Sequence, residues 1–526
     1  IRYMADRAFK TVLMGVGISA LTMFAASQVF DVFVPRSVPA IYFSLLLIIT
    51  GGTRLIMRSI YLSSKDEGRE PVLIYGAGDA GHQLLQALEN SRNYRPALFV
   101  DDDKKLHGVD IGGVRVMPPD LASRSVSDLG VKTALIAIAE TNSDGRRRAA
   151  RMLSELGLEV RIIPDVSELV SGRVRISELR RVTVEELLGR DPVPPIPELM
   201  SKTTNGKSVM ITGAGGSIGS ELSRQILEQH PSRLVLFDAS EYALYKIHEE
   251  LSEQLSAKNS PCTLVPVLGS VLCKDLITRT IKDNAVETLF HAAAYKHVPL
   301  VEANIVEGVR NNVLGTEAVA DAAGELGVKT FTLISTDKAV RPTNVMGASK
   351  RFAELVMQAK AQEYPATKYC AVRFGNVLGS SGSVIPKFEK QIAAGGPITL
   401  THLDITRYFM TIPEAAQLVV QASAMAKRGE IYLLDMGEPI KILDLAKTMA
   451  RLHGREPYQE GELAPANGGL MIRVSGLRPG EKLYEELLVD GSEASTVHPR
   501  VMCERSGLPA ADLVEEWVQG LQGVLE

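Results

Sequence analysis

The segment Thr212-Gly-Ala-Gly-Gly-Ser-Ile-Gly219 constrains this chain more than any other. It follows an apolar run, Ser208–Thr212, and opens a helical pattern. Gly213, Gly216 and Gly219 permit a tight turn, close approach of backbone to a pyrophosphate, and close helix packing. Ser217 and Ile218 stand on the first turn of that helix, whose free N–H groups and partial positive charge suit phosphates. Asp238 ends the next apolar run. A carboxylate there accepts hydrogen bonds from an adenosine ribose and repels a 2′-phosphate, which favours NAD over NADP. A glycine turn without a ligand is the plain alternative, and the flanking strand and helix weigh against it. Further strand signals at 234–238, 263–268, 288–291, 329–335 and 368–374 alternate with helical ones. That alternation predicts a parallel sheet with helices on both faces. After residue 380 the pattern is less regular, as suits a smaller lobe covering a substrate.

A chain of 526 residues is too long for one ordinary core and suggests three or so folded units. The net charge of −4 comes from dispersed acids and bases, so the chain carries no general attraction for nucleic acid. Cysteines at 262, 273, 370 and 503 form no Cys-x-x-Cys pair, which supports neither a metal site nor a disulfide framework. Two runs without a charged residue, 11–30 and 37–53, have lengths that suit bilayer-crossing helices. They predict a transmembrane helical hairpin over residues 1–60, read as truncated before Ile1. Arg2, Arg7 and Lys10 precede the first run, and Arg54, Arg58, Lys65 and Arg69 follow the second. The positive-inside rule then places everything after residue 60 in the cytoplasm, as part of a multi-pass membrane protein.

The first α/β region, 69–170, carries its own glycine turn, Gly76-Ala-Gly-Asp-Ala-Gly81, with Asp101 closing the next strand signal. Runs at 133–138 and 159–163 are expected to add parallel strands. No candidate catalytic group accompanies this turn, so a nucleotide site and a scaffold stand equal. Residues 171–205, with Pro192, Pro194, Pro195 and Pro197, read as a connector. The catalytic domain is then 206–526. The predicted fold class is α/β, with two Rossmann-like, doubly wound parallel sheets preceded by the transmembrane hairpin.

A strand signal ending at Ser335 delivers Thr336, Asp337 and Lys338 to the carboxyl edge of the larger sheet, where ligands of open α/β sheets bind. Lys350 follows on a helix that starts near Val345. An adjacent Asp and Lys is ordinarily solvated charge; at this sheet edge the pair reads as acid and base. His291-Ala-Ala-Ala-Tyr-Lys-His-Val-Pro299, Asn311-Asn-Val-Leu-Gly-Thr316, Ser335-Thr-Asp-Lys338, Arg373-Phe-Gly-Asn-Val377, Thr406-Arg-Tyr-Phe-Met410 and Arg478-Pro-Gly-Glu-Lys482 complete the pattern. Together they resemble the extended short-chain dehydrogenase/reductase superfamily. Within it they closely resemble the UDP-N-acetylglucosamine 4,6-dehydratases of bacterial polysaccharide and glycan biosynthesis, including the membrane-bound branch.

The resemblance implies a lyase with tightly bound NAD, regenerated at each turnover, that makes a 4-keto-6-deoxy sugar from a UDP-N-acetylhexosamine. It implies that Asp337 protonates the departing C6 oxygen, Lys338 removes the C5 proton, and Thr336 hydrogen-bonds the C4 oxygen. Lys350 would hold the nicotinamide ribose, with Ala292 and Ala293 beside the cofactor. Lys296, Asn376, Arg407 and Arg478 are the substrate-binding candidates, the two arginines as forks for the diphosphate. Surface ion pairing is the bland reading of each arginine, and loop packing that of Lys296 and His297. Met346 occupies the first position of the superfamily's Tyr-x-x-x-Lys, and a thioether neither takes nor gives a proton. The membrane-bound branch resembles this chain in that respect. A homo-oligomer is expected, with helices near 306–327 and 345–362 as candidates to pair subunits. Two rivals remain at this stage: a nucleotide-sugar 4-epimerase, and a non-catalytic membrane-tethered nucleotide-sugar sensor or scaffold.

Overall fold

The computed structural model describes residues 2–30, 35, 37–66, 68–89, 91, 93–138, 143–162, 180–182, 193–258, 260–465, 468–486, 493–504 and 507–525. Most of the predicted connector lies outside them. The chain forms two compact units, one of residues 1–137 with 165–178 and one of residues 138–164 with 179–526.

In the first unit, helices α1 (Arg2–Val29) and α2 (Ser37–Asp66) pack together. The Ser19 and Tyr42 hydroxyls meet across them at 2.9 Å. Among the described residues no helix is long and apolar enough to cross a membrane. The predicted transmembrane hairpin therefore has no support among the described residues, and the bacterial inner-membrane placement drawn from it is withdrawn. Thr22, Ser44, Thr50 and Thr53 turn their hydroxyls onto carbonyls of their own helices.

Strand β1 (Glu70–Tyr75) leads through the first glycine turn into α3 (Asp79–Glu89), followed by β2 (Tyr94–Val100), β3 (Asp110–Ile111), β4 (Val114–Met117) and β5 (Thr133–Ile136). β1 pairs in parallel with β2 and β5, and β2 in parallel with β4. Asp101 follows β2, and its carboxylate accepts the Ala77 N–H at 2.6 Å.

The second unit contains a pair of short strands, β6 (Glu159–Ile162) and β7 (Arg180–Arg181), that run antiparallel. Its main sheet begins with β8 (Ser208–Thr212), β9 (Arg233–Asp238), β10 (Thr263–Leu268), β11 (Thr288–His291), β12 (Thr330–Ile334) and β13 (Lys368–Arg373). A covering lobe adds β14 (Asn376–Val377), β15 (Ile398–Leu400), β16 (Thr406–Arg407) and β17 (Phe409–Met410). Then come β18 (Glu430–Leu434), β19 (Ile440–Lys441), β20 (Pro457–Gln459), β21 (Leu470–Val474), β22 (Glu493–Ser495) and β23 (Val501–Glu504). The main sheet has the order β10-β9-β8-β11-β12-β13-β18-β23-β22. It is parallel through β18, and β23 and β22 close it antiparallel. The order reverses beside β8, and at such a switch point dinucleotides bind.

Both faces of this sheet are buried, and β8 shows it in alternate residues. Val209 and Ile211 pack with Leu222, Ile226 and Val419, while Met210 packs with Phe237, Val319 and Met357. Such a strand reads as continuous apolar sequence because each face meets a helix layer. The helices that matter for the site are α4 (Ser217–Glu228), α5 (Gly315–Glu325) and α6 (Val345–Glu363). A last helix, α7 (Ala511–Leu525), packs on α6 through Val514 and Val518, with Trp517 edge-on to Phe352. Part of the surface predicted to pair subunits is thus covered by the chain's own helix.

Candidate active site

The glycine turn is built by close approach. At Gly219 a Cβ would lie 2.0 Å from the Gly213 carbonyl oxygen, and at Gly213 one would lie 2.7 Å from the Ala293 nitrogen. Gly213 also has φ of +70°, a left-handed conformation that glycine adopts without strain. The start of α4 can therefore sit against the ends of β8 and β11. Asp238 closes the turn, its Oδ2 accepting the Gly215 N–H and its Oδ1 the Ser240 N–H, each at 2.8 Å. A cleft of about 840 Å³ opens above it. Gly213, Gly216, Ser217, Ile218, Gly219 and Ala292 line one part of the cleft, and Thr336, Lys338, Met346 and Lys350 another. Asp238, Ala293 and Asp337 stand behind this lining rather than in it.

The loop after β12 concentrates the chemistry. Thr336 is extended, and residues 337–339 form a single 3₁₀ turn. The Thr336 hydroxyl donates to Asp337 Oδ1 at 2.8 Å. Lys338 Nζ donates to the same oxygen at 3.0 Å and to Asn376 Oδ1 at 3.2 Å. Asp337 is fully buried, and its Oδ2 has no hydrogen-bond partner among the described residues. Burial by itself lowers the affinity of the Lys338 amine for its proton; the carboxylates of Asp337 and Glu485 outweigh it and raise its pKa above the usual lysine value. At neutral pH Lys338 is therefore an ammonium, a donor before it is a base.

Helix α6 is seated by local capping. Asn344 accepts the Gly347 N–H at 2.8 Å, and Glu302 accepts the Val345 N–H at 2.7 Å. Met346, 3% exposed, and Lys350 both face the cleft from its first turns. Lys350 Nζ donates to the Ile334 carbonyl at 2.7 Å. Burial pushes its pKa down to about 8, against the nearby Glu354 charge. Glu354 is fixed by Arg373 at 2.7 Å on both oxygens and by the Ser335 hydroxyl at 2.6 Å. Arg373 in turn reaches Glu504 at 3.0 Å. Below the cleft His291 bridges the Thr212 and Thr316 hydroxyls, and burial followed by the Lys350 charge pushes its pKa down to about 3, so its ring is neutral.

The covering lobe contributes cations of different character. Arg407 lines the cleft, yet it is 8% exposed and donates to the carbonyls of Thr406, Leu483 and Lys482 at 2.7, 3.2 and 2.8 Å. It also faces Glu481 at 3.5 Å and Glu485 at 3.7 Å. Its fork is largely committed within the protein. Arg478 lines the cleft, as do Lys296 and His297. Burial lowers the pKa of Lys296. The His297 ring packs where a side chain on Gly382 would fall.

Lys387, which the sequence reading did not single out, joins Arg478 there, its pKa lowered by burial and by the Arg478 charge. Glu485 and Glu354 were also missed. Glu485 stands just beyond the Arg478-Pro-Gly-Glu-Lys482 motif with no pattern of its own, and Glu354 looks like an ordinary helix-surface acid until the Arg373 strand covers it.

The family described as "Polysaccharide biosynthesis protein" matches residues 209–506. The capsular polysaccharide biosynthesis protein CapD of Staphylococcus aureus is 42% identical over 469 residues, covering 87% of this chain and 75% of that one. A UDP-N-acetylglucosamine 4,6-dehydratase (inverting) of Campylobacter jejuni is 32% identical, covering 54% of this chain and 78% of its own. A UDP-glucose 4-epimerase of Rickettsia canadensis is 34% identical, covering 54% and 77%. The family match spans the whole cleft-forming region, and the CapD likeness extends across most of the chain, so the protein belongs to the polysaccharide biosynthesis protein family, of the nucleotide-sugar dehydratase and epimerase type of short-chain dehydrogenase/reductase.

Proposed function

We propose that this chain is an NAD-dependent 4,6-dehydratase acting on a UDP-N-acetylhexosamine, with UDP-N-acetylglucosamine as the expected substrate. The observation that carries the reading is the contact of Lys338 Nζ with Asp337 Oδ1 at 3.0 Å, at the rim of the cleft, with Met346 where a catalytic tyrosine would otherwise stand. The glycine cradle fits a dinucleotide, since side chains at Gly213 and Gly219 would fill the space against the turn, and the Asp238 carboxylate, at the end of the neighbouring strand, holds the turn by its Gly215 N–H. Bound there, NAD would supply the redox chemistry by accepting hydride from sugar C4 and returning it at C6.

The protein's own task is to move protons. Removing water across C5 and C6 needs a base at C5 and an acid at the C6 oxygen. Transfer of one proton from the Lys338 ammonium to Asp337 creates both at once: the N–H bond breaks as the O–H bond forms, leaving a neutral amine and a carboxylic acid. The amine takes the C5 proton and the acid protonates the departing C6 oxygen, which restores the starting charges. Thr336 orients the C4 oxygen, whose hydroxyl proton passes to water as hydride leaves C4; once C6 has become a methyl, the Lys338 ammonium returns its proton to C5 and regains one from water. Lys350 would hold the nicotinamide ribose. Arg478, with Lys387 beside it, suits the diphosphate better than the committed Arg407.

The test is incubation of the full chain with UDP-N-acetylglucosamine and NAD, followed by mass spectrometry and NMR of the sugar. A product lighter by one water, with a C4 ketone and a C6 methyl, is expected. A C4 epimer of unchanged mass would establish the epimerase instead, and bound but unaltered sugar would favour a sensor or scaffold.

A further inference from the structure

We propose that Glu485 is a positioning residue for Lys338: a second buried carboxylate that, with Asp337, pins the amine at the cleft wall in its charged form. The proposal deepens the dehydratase reading and rests on it for its catalytic consequence. Glu485 is 8% exposed. Its Oε1 lies 3.6 Å from Lys338 Nζ and 3.7 Å from Arg407 Nε, and its Oε2 has no hydrogen-bond partner among the described residues. A buried carboxylate costs several kcal/mol unless it is paired, so its place must be set by the charges it faces.

Arg407 does not account for it. That guanidinium already donates to three carbonyls and faces Glu481 at 3.5 Å, so it would remain satisfied without Glu485. Lys338 is different. Its side chain has Asp337 and Asn376 as hydrogen-bond partners, Glu485 opposite, and the Arg407 charge acting against it. Lys482 and Glu486 belong to a separate contact, in which Lys482 Nζ reaches the Val340 carbonyl at 2.9 Å and Glu486 at 3.4 Å. Both contacts of Glu485 exceed hydrogen-bond distance, so it acts through its field. It stabilises the ammonium until substrate arrives, and thereby sets the pH at which the Lys338–Asp337 transfer can begin.

Competitive acylation of lysines across pH, read by mass spectrometry at Lys338, tests this in the full chain without substrate. In Glu485→Gln the Lys338 titration is expected to move to lower pH, with about tenfold more labelling at a fixed pH below the parent midpoint, a change of about one pKa unit. Glu485→Asp, which draws the charge back by one methylene, should shift the same way by less. The alkaline limb of the kcat profile should move with the labelling curve while KM stays near the parent value. Identical Lys338 curves in parent and Gln variant would overturn the proposal, as would lost activity with an unmoved limb and a lowered melting temperature. If Glu485→Gln does not fold, the aspartate curve decides in the same way. Should the parent dehydrate no sugar, the dehydratase reading falls alone, because the labelling curve still tests whether Glu485 governs the amine.

Discussion

At the scale of single residues, the proposed proton chemistry rests on Met346 and the Asp337–Lys338 pair. With a thioether in the tyrosine position, proton transfer falls to the pair, so Asp337→Asn and Lys338→Ala should each lower turnover about a hundredfold or more while NAD content is kept. Near-parent turnover in either would remove that residue from the scheme. Met346 is buried, and truncation to alanine would cost roughly 2–5 kcal/mol through the cavity it leaves. Met346→Leu keeps the volume, and its kcat should stay within about threefold of the parent if position 346 does no proton transfer; total loss in a folded, NAD-binding variant would contradict that. Lys350 offers a pH test on the cofactor-free protein. Its folded pKa is pushed down to about 8, whereas the unfolded amine titrates near 10.5. Below pH 8 both states are protonated and the buried charge is a standing cost. Between pH 8 and 10.5 the unfolded chain binds the extra proton, so this group favours folding progressively as pH rises. The difference in unfolding free energy between parent and Lys350→Met should therefore move toward the parent over that window, by something on the order of 1–3 kcal/mol. Denaturant titrations at pH 7.5 and 10 measure it; a flat difference would mean that the amine is not held at a lowered pKa.

Helix α6 does at the scale of elements what no single residue does: it brings Met346 and Lys350 against the loop that carries Asp337 and Lys338. The approach depends on Gly347, where a Cβ would lie 2.3 Å from the Lys338 carbonyl oxygen, a backbone atom with little room to yield. Gly347→Ala should cost about 1–3 kcal/mol in urea melts and reduce turnover by more than tenfold, because the start of the helix must move off the catalytic loop. Unchanged turnover would show that this close packing does not matter. A second device is the π-turn Arg310–Leu314 before α5, where buried Asn312 ties Tyr295 to α6 by accepting the Tyr295 N–H at 2.8 Å and donating to the Ser349 hydroxyl at 3.0 Å. The Asn311-Asn-Val-Leu-Gly-Thr316 motif thereby acquires a structural role. The strands were legible from sequence to within a residue or two: β8 and β11 run as their apolar patterns indicate, because a parallel strand buried on both faces must be apolar throughout, and the half-exposed edge strand β10 also runs where it was read. Glu354, Glu485 and Lys387 were not legible, since their roles arise only when distant segments converge. The N-terminal hairpin was read from the charge-free runs 11–30 and 37–53, and among the described residues no helix is long and apolar enough to cross a membrane.

The whole molecule assigns its two glycine turns to two different compact units, and they differ in what surrounds them. Around the second turn, every residue lining the cleft, from Gly213 to Glu481, belongs to the larger unit. The first turn has the same backbone logic, with Gly76 at φ of +105° and Asp101 accepting a turn N–H. Its helix, however, opens on Asp79, a negative charge where a phosphate would sit. The two turns can be perturbed separately. At Gly81 a Cβ would fall 2.0 Å from the Gly76 carbonyl oxygen, so Gly81→Ala should force α3 away from β1 and loosen residues 70–89. Hydrogen exchange should rise there and stay at parent levels over 208–228, with kcat per folded molecule within about twofold of the parent, because no group that touches the sugar or the dinucleotide has moved. Collapse of turnover with unchanged exchange over 208–228 would show that the first unit contributes to catalysis directly, and the smaller glycine turn would then have to be counted as part of the working site.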